Sequence, residues 1–145
     1  MQVRGLPALL VAVTFVAGGC ASSHAADAPS RVEQAAQLRV LERPAVRSIK
    51  LTFIALTFHQ DVRAAAQLDL AADRSEAILA WVDHHRSFAR ANEASIECFD
   101  ESLRELHERA EEFVPELHAR TLGADERREL KQALAESANC IQASD

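Results

Sequence analysis

The chain has 145 residues, with 16 basic and 22 acidic side chains and a formal net charge of −6. This acidic balance argues against nucleic-acid binding, because proteins that bind nucleic acid neutralise phosphates with basic patches. A chain of this length forms one domain with a modest hydrophobic core.

The first nineteen residues have the pattern of a secretory signal that ends at a cysteine. One cation, Arg4, precedes an uncharged apolar run over residues 6–17, which is shorter than the roughly 20 residues of a transmembrane helix. The tetrapeptide AGGC at 17–20 resembles a bacterial lipobox, in which small residues precede a cysteine that becomes diacylated. We therefore predict a lipoprotein signal over residues 1–19 and lipid attachment at Cys20, with ordinary cleavage after Ala25 as the alternative.

Lipidation at Cys20 implies an exported protein that lies in the periplasm and is anchored to a membrane by its lipid. Lipoproteins that resemble this one, with alanine rather than aspartate after the cysteine, are usually sorted to the outer membrane. Residues 20–29 are small, polar and aperiodic, which predicts a flexible tether with an end-to-end distance of roughly 17 Å. The domain over residues 30–145 would then lie close to the membrane surface.

Helical patterning begins at Ser30. Ser30 and Glu33 have the spacing of a capping box, and a proline disfavours helix at the residue before it. The first helix is therefore predicted over residues 31–43, ending before Pro44.

Apolar residues at helical spacing predict a second helix from Ala45 to about Leu70, which closes at the connector LAAD (70–73). The run LTFIALTF at 51–58 is rich in β-prone residues and would also suit a buried strand. We favour helix, because no other segment of the chain offers a strand to pair with it.

A third helix is predicted to begin at Asp73, an acidic N-cap with Glu76 three residues later. Its apolar seam continues without glycine or proline to Pro115 and turns polar over residues 92–95, where we place a break or kink. The alternative is one uninterrupted helix over residues 74–113. That helix would be about 60 Å long, and its extra length would favour a homodimer.

Pro115 predicts a helix end and a new short helical segment that stops at Gly123. Asp125 then caps a last helix over residues 126–142, which carries apolar residues along one stripe. Together these elements predict an all-α fold, a small up-and-down bundle of four to five helices.

Two cysteines, Cys98 and Cys140, remain once Cys20 is assigned to the lipid, and two cysteines of an exported protein most often form a disulfide. Cys98 lies 15 residues before Phe113, and Cys140 lies 15 residues after Asp125, so each helical arm is about 22 Å long. Antiparallel helices would bring both cysteines to the same level. We predict a structural disulfide between the third or fourth helix and the last.

Motifs of catalytic chemistry are missing from the sequence. It contains no G-x-S-x-G or S-x-x-K motif and no Glu-x-x-His spacing for a di-metal bundle site. His107 and Glu111 share one helix face, and His85 falls on the apolar seam, which favours a hydrogen-bonded core histidine. We predict no enzymatic activity, no cofactor and no bound metal.

Acidic charge is concentrated in one segment. Residues 91–116 hold nine acidic and two basic side chains, whereas residues 31–90 hold seven acidic and nine basic ones. Arg104 and Arg109 each have an acid four residues earlier, but other acids repel one another at this spacing. The ordinary interpretation is a solvated helix face. The functional one is a surface for a basic protein partner, through electrostatic complementarity, formed by Glu97, Glu101, Glu105, Glu108 and Glu112.

These features predict a periplasmic lipoprotein that acts by protein binding, such as an immunity or inhibitor protein whose acidic face blocks a basic toxin or hydrolase. The segment LGADERREL at 122–130 is similar to the LTxxQ-type turn into a helix of Spy/CpxP-like periplasmic helical proteins, from which it departs at Gly123 and Glu126. That resemblance implies an alternative function as an envelope-stress chaperone or metal sensor. A purely structural envelope lipoprotein is the third interpretation.

Overall fold

The computed structural model describes residues 29–142, apart from the side chains of residues 93–95. Within that range the chain forms five helices and no strand: α1 (Arg31–Thr57), α2 (Asp61–His84), α3 (Arg86–Ala91), α4 (Glu93–Ala119) and α5 (Ala124–Gln142). The predicted small all-α bundle is therefore confirmed. The predicted signal over residues 1–19, the lipid attachment at Cys20 and the tether as far as residue 28 lie outside the described residues.

The predicted capping box starts α1. The hydroxyl of Ser30 accepts a hydrogen bond from the backbone N–H of Glu33 at 3.3 Å, and the carboxylate of Glu33 accepts one from the backbone N–H of Ser30 at 2.7 Å. The backbone bond stabilises the charged carboxylate and lowers the pKa of Glu33. Two of the backbone N–H groups at this helix end thus find partners.

The prolines do not end their helices, and the predicted helix ends at Pro44 and Pro115 are wrong. A proline removes the hydrogen bond to the carbonyl four residues earlier. For Pro44 that carbonyl belongs to Val40, whose side chain is 70% exposed, and for Pro115 it belongs to Glu111, which is also exposed. Water reaches the freed carbonyls on these outward faces, so both helices continue past the proline.

Replacing Pro44 with alanine is expected to raise the free energy of unfolding by about 1–2 kcal/mol. A proline inside a helix costs roughly 3 kcal/mol, and loss of contacts from the half-buried ring of Pro44 offsets part of that gain. Urea unfolding followed by circular dichroism measures the change. Pro29→Ala, outside the helices, is the matched control and should have no effect. A less stable P44A variant would contradict this explanation.

The first chain reversal lies at residues 58–60. His59 has a left-handed backbone conformation, with φ of 53°. Its N–H donates to the carbonyl of Leu56 at 3.3 Å, and the N–H of Gln60 donates to the carbonyl of Ala55 at 2.9 Å. This pair of bonds is a Schellman motif, in which glycine usually takes the left-handed position. Histidine takes this position although a non-glycine residue there costs about 1 kcal/mol or more. Since no glycine is present, nothing in the sequence marks this turn.

Three predictions on the second and third helices are consequently wrong. Residues 45–70 do not form one helix, because the reversal at residues 58–60 divides them between α1 and α2. The LAAD segment (70–73) is no connector, and Asp73 does not start a helix, because both lie inside α2. Ala71, Ala72 and Ser75 are buried on the inner face of this continuous helix. The prediction that residues 51–58 are helical rather than a strand is confirmed as far as Thr57.

Two short interruptions divide the long helix predicted after residue 73. The one at Asn92 lies where a break was predicted, and its side-chain amide donates to the carbonyl of Phe88 at 3.0 Å. The other, at His85, has no signal in the sequence. The ring of His85 stacks on that of Trp81 with centroids 4.0 Å apart, and its Nδ1 lies 2.7 Å from the carbonyl oxygen of Trp81. His85 is thus hydrogen-bonded, as the seam predicts, but half-buried rather than part of the core.

The reversal between α4 and α5 begins at Arg120, which is left-handed with φ of 59°, and not at Gly123 as predicted. The backbone N–H of Gly123 instead donates to the carboxylate of Glu126 at 2.6 Å and so helps to start α5. Asp125 lies within the first turn of that helix rather than at its cap. The last helix otherwise matches the prediction.

The four long helices form a ring in which α1 and α4 are not neighbours. Each of them packs against both α2 and α5, so α1 and α4 occupy opposite corners. Phe99, Phe113, Leu68, Leu106 and Leu130 are among the large side chains that are fully buried at the centre. The predicted disulfide joins α4 to α5, with 5.6 Å between the Cα atoms of Cys98 and Cys140.

Candidate functional site

The outward side of α4 carries all five glutamates that the sequence suggests for partner binding. Its inner side, with Phe99, Leu103 and Leu106, is buried in the core, and this turns the opposite side of the helix to solvent. Four of the glutamates are exposed and the third is half-buried. They extend over about 22 Å of helix. We call this surface the acidic face, and its residues are Glu97, Glu101, Glu105, Glu108 and Glu112.

Two arginines beside the acidic face neutralise part of its charge. Arg104 donates to Asp100 at 2.9 Å, and this carboxylate raises the pKa of Arg104. Arg109 lies 3.8 Å from Glu105 and 3.4 Å from Glu112. Both i,i+4 ion pairs that the sequence predicts are therefore present. They involve Arg side chains at the two edges of the face.

The remaining glutamates of the acidic face form no ion pair within the described part of the chain. Glu97, Glu101 and Glu108 make no hydrogen bond or ion pair with any part of the chain that the structure describes. A fourth carboxylate, Glu129 of α5, lies 3.8 Å from Arg109 and adds negative charge on one side. The unbalanced charge of α4 is thus concentrated along the middle of its outward surface.

His107 lies next to the acidic face, with its Nε2 3.6 Å from a carboxylate oxygen of Glu111. This confirms that the two residues share one side of α4. No group of three histidine, cysteine, aspartate or glutamate side chains placed to hold a metal ion occurs among residues 29–142. That the protein binds no metal stays a prediction.

A second charged surface lies on α1, and none of the sequence patterns above predicts it. Its cations point outward, and the acid between them, Glu42, turns into the core and is 5% exposed. Exposed apolar side chains, Val40, Ile54 and Phe58, lie on the same side of the helix. We call this surface the cationic face, and its charged residues are Arg39, Arg43, Arg47 and Lys50.

The cationic face depends on α1 running through Pro44. The predicted helix end at that proline places Arg39 and Arg43 in one helix and Arg47 and Lys50 in the next, so the four cations are not recognised as one row. In the continuous helix the cations follow at intervals of four, four and three residues, which places them along one side. The spacing of the cations is visible in the sequence across the proline, but only the packed structure shows that the helix between them is continuous.

Arg74 of α2 supports the middle of the cationic face from behind. Its guanidinium donates to the carbonyl of Pro44 at 2.8 Å and to the hydroxyl of Ser48. A groove of about 430 Å³ between α1 and α2 opens beside these contacts and is lined by Arg43, Arg47 and other residues. The contacts of Arg74 hold α1 against α2 where the row of cations crosses the proline.

Comparison with protein-family models, with curated proteins and with solved structures found no match for this chain. No helix among the described residues is long and apolar enough to cross a membrane. The chaperone-like interpretation of residues 122–130 and the purely structural one stay predictions. The two charged faces are the surfaces on which a function can be argued.

Proposed function

We propose that this protein binds a basic protein through the acidic face of α4 and does not catalyse a reaction. The observation that carries the proposal is the exposure of Glu97, Glu101 and Glu108 on one helix side without an ion pair to the described part of the chain. Like charges four residues apart destabilise a helix by a few tenths of a kcal/mol per pair. A cationic surface on a partner removes this repulsion and guides association.

The disulfide supports a rigid binding surface. Cys98 lies between Glu97 and Glu101 in α4, and its bond to Cys140 holds this part of the acidic face against α5. A preorganised surface loses less conformational entropy when it binds. An immunity or inhibitor protein that blocks a basic toxin or hydrolase is the form of this function that we propose.

The state of the nucleophilic and basic side chains supports a non-enzymatic role. Cys98 and Cys140 are bonded to each other, which removes two thiols from chemistry. Nδ1 of His84 lies 2.7 Å from the carbonyl oxygen of Ala80, so the ring is held against its own helix, as is His85. We also propose lipid attachment at Cys20, which would hold the acidic face near the periplasmic surface of the outer membrane.

Neutralising three glutamates is expected to weaken binding to a basic hydrolase about tenfold. The variant E97Q/E101Q/E105Q removes charge from the first half of the acidic face, and each exposed charge contributes roughly 0.5 kcal/mol. Lysozyme is the cationic probe, and titration calorimetry at low salt measures the affinity.

The matched control for this experiment is D69N/D73N/E136Q, which removes three exposed acids from α2 and α5. It should bind the probe like the wild type. Binding that does not respond to added salt, or that survives unchanged in the glutamine variant, would refute the proposed function.

A further inference from the structure

We propose that the cationic face of α1 docks on the acidic face of a second copy of this chain. The proposal rests on the proposed function, because it uses the same acidic face, for which a second copy of the chain and a basic partner protein would compete. Copies of the protein would then associate head to tail. The evidence lies in the spacing, the placement and the apolar border of the two faces.

The charges of the two faces have the same spacing. Arg39, Arg43, Arg47 and Lys50 follow at intervals of four, four and three residues, and so do Glu97, Glu101, Glu105 and Glu108. Each row is therefore about 16 Å long. When α1 of one copy lies parallel to α4 of another, every cation faces a carboxylate in a single register.

The central cations are free to take such partners. Arg43, Arg47 and Lys50 are exposed and make no hydrogen bond or ion pair with the described part of their own chain. The same holds for Glu97, Glu101 and Glu108 on the acidic face. In this register Arg43 meets Glu101 and Lys50 meets Glu108 without breaking an existing contact, whereas Glu105, which faces Arg47, already lies 3.8 Å from Arg109.

One molecule cannot join its own two faces. Because α1 and α4 occupy opposite corners of the ring, their outward sides point away from each other. For the same reason two copies cannot satisfy both pairs of faces across one two-fold interface. The contact is heterologous, so each added copy leaves one face of each kind open and the assembly extends as a chain.

Apolar side chains border the cationic face and enlarge the contact. Ile54 and Phe58 are 49% and 68% exposed, and in the register that pairs Arg43 with Glu101, Ile54 is level with Glu112 and Phe58 lies next to Pro115, which is exposed on α4. Exposed ion pairs alone contribute little in water. Covering these side chains adds a hydrophobic contribution. A lipid surface would also attract cations, but it offers no row of matching spacing.

Lys50 and Glu108 provide a direct test, because this register brings them together. A carbodiimide joins lysine and carboxylate side chains that are in contact, and Lys50 and Lys131 are the two lysines of the chain. We expect a Lys50–Glu108 cross-link in the purified exported protein at about 25 mM NaCl. In an equal mixture of ¹⁴N- and ¹⁵N-labelled protein, half of these cross-links should join the two labels. At about 0.5 M NaCl we expect at least tenfold fewer cross-links.

Charge reversal on one face and then on both separates docking from chance collision. R43E/R47E and E101K/E105K should each lose the Lys50–Glu108 cross-link at least tenfold, because like charges then meet. Mixing the two variants should restore it, and every cross-link should join one chain of each kind. R31E/R90E, which reverses two exposed cations elsewhere, is the matched control and should cross-link like the wild type. Circular dichroism checks that each variant is folded.

Three outcomes would overturn the inference. The first is no Lys50–Glu108 cross-link in the wild type, and the second is failure of the mixed variants to restore it. The third is binding to vesicles of anionic phospholipid that R43E/R47E abolishes while no cross-link forms, which would assign the cationic face to a lipid surface. If the wild type stays monomeric but binds lysozyme through the acidic face, self-association is refuted and the proposed function stands.

Discussion

Replacing Cys98 and Cys140 together with alanine is expected to lower the free energy of unfolding by about 4 kcal/mol. The disulfide spans a sequence separation of 42 residues between α4 and α5. Closing a loop of that size restricts the unfolded chain, and the chain-entropy relation gives roughly 4 kcal/mol for it at 25 °C. In a domain of this size the midpoint of thermal unfolding should fall by about 10–15 °C.

Urea unfolding of C98A/C140A and of the wild type, each with and without a reducing agent, tests this expectation. Reduction should destabilise the wild type by a similar amount and leave the double variant unchanged. The comparison separates loss of the bond from any effect of the alanine side chains. Equal stability of the oxidised wild type and the variant would contradict the expected contribution.

Loss of the disulfide should also make the acidic face less rigid. Cys98 lies on α4 between two of its glutamates, so the disulfide holds that part of the helix against α5. Without the bond, α4 and α5 remain joined by packing, by the buried hydrogen bond that the hydroxyl of Ser137 donates to the carbonyl of Ser102 at 3.0 Å, and by the weak ion pair of Arg109 with Glu129.

Replacing Asp61 with asparagine is expected to cost about 3 kcal/mol. Its carboxylate lies 2.8 Å from the guanidinium of Arg127, and the two side chains are 14% and 12% exposed. Removing one partner of a buried pair leaves a charge without compensation, which costs 3–5 kcal/mol when burial is complete. Asp61 also lies in the first turn of α2, where the helix dipole favours a negative charge.

The matched control is Asp125→Asn, because Asp125 pairs with Arg128 at the surface with both side chains largely exposed. That substitution should change the free energy of unfolding by less than about 0.5 kcal/mol. A double-mutant cycle with D61N and R127M should show a coupling of more than about 1 kcal/mol. If D61N were as mild as D125N, the pair would not contribute as its burial indicates.

The Asp61–Arg127 pair also shows what sequence patterns cannot supply. The two residues are separated by 66 positions and join α2 to α5, which do not pack side by side in the ring. Asp61 is predicted to lie in the middle of a helix, whereas it begins α2 because the chain reverses at His59. Which side chain pairs with a largely buried charge depends on the path of the whole chain, and no local sequence pattern predicts that path.

Local rules were sufficient for several features of this protein. Helical periodicity predicts the all-α class, because apolar residues at intervals of three and four lie on one side of a helix. Side-chain bonds over three residues predict the capping box at Ser30. The acidic face follows from one helix alone, and the disulfide follows from the count and spacing of Cys98 and Cys140. All these features depend on residues within one element or on a simple antiparallel pair.

Tertiary packing alone decided where the chain turns and which surfaces oppose each other. Pro44 has a strong local preference against helix, yet α1 continues, because the residues after it are buried against other helices and the freed carbonyl is on the solvent side. His59 and Arg120 adopt left-handed turns without glycine, since burial of the helices on both sides offsets a cost of about 1 kcal/mol at each. Local sequence patterns thus determined the all-α class, the disulfide and the acidic face, but not the helix bounds. The continuous cationic face and its position opposite the acidic one arise only when the helices pack, because they depend on energies summed over the whole core.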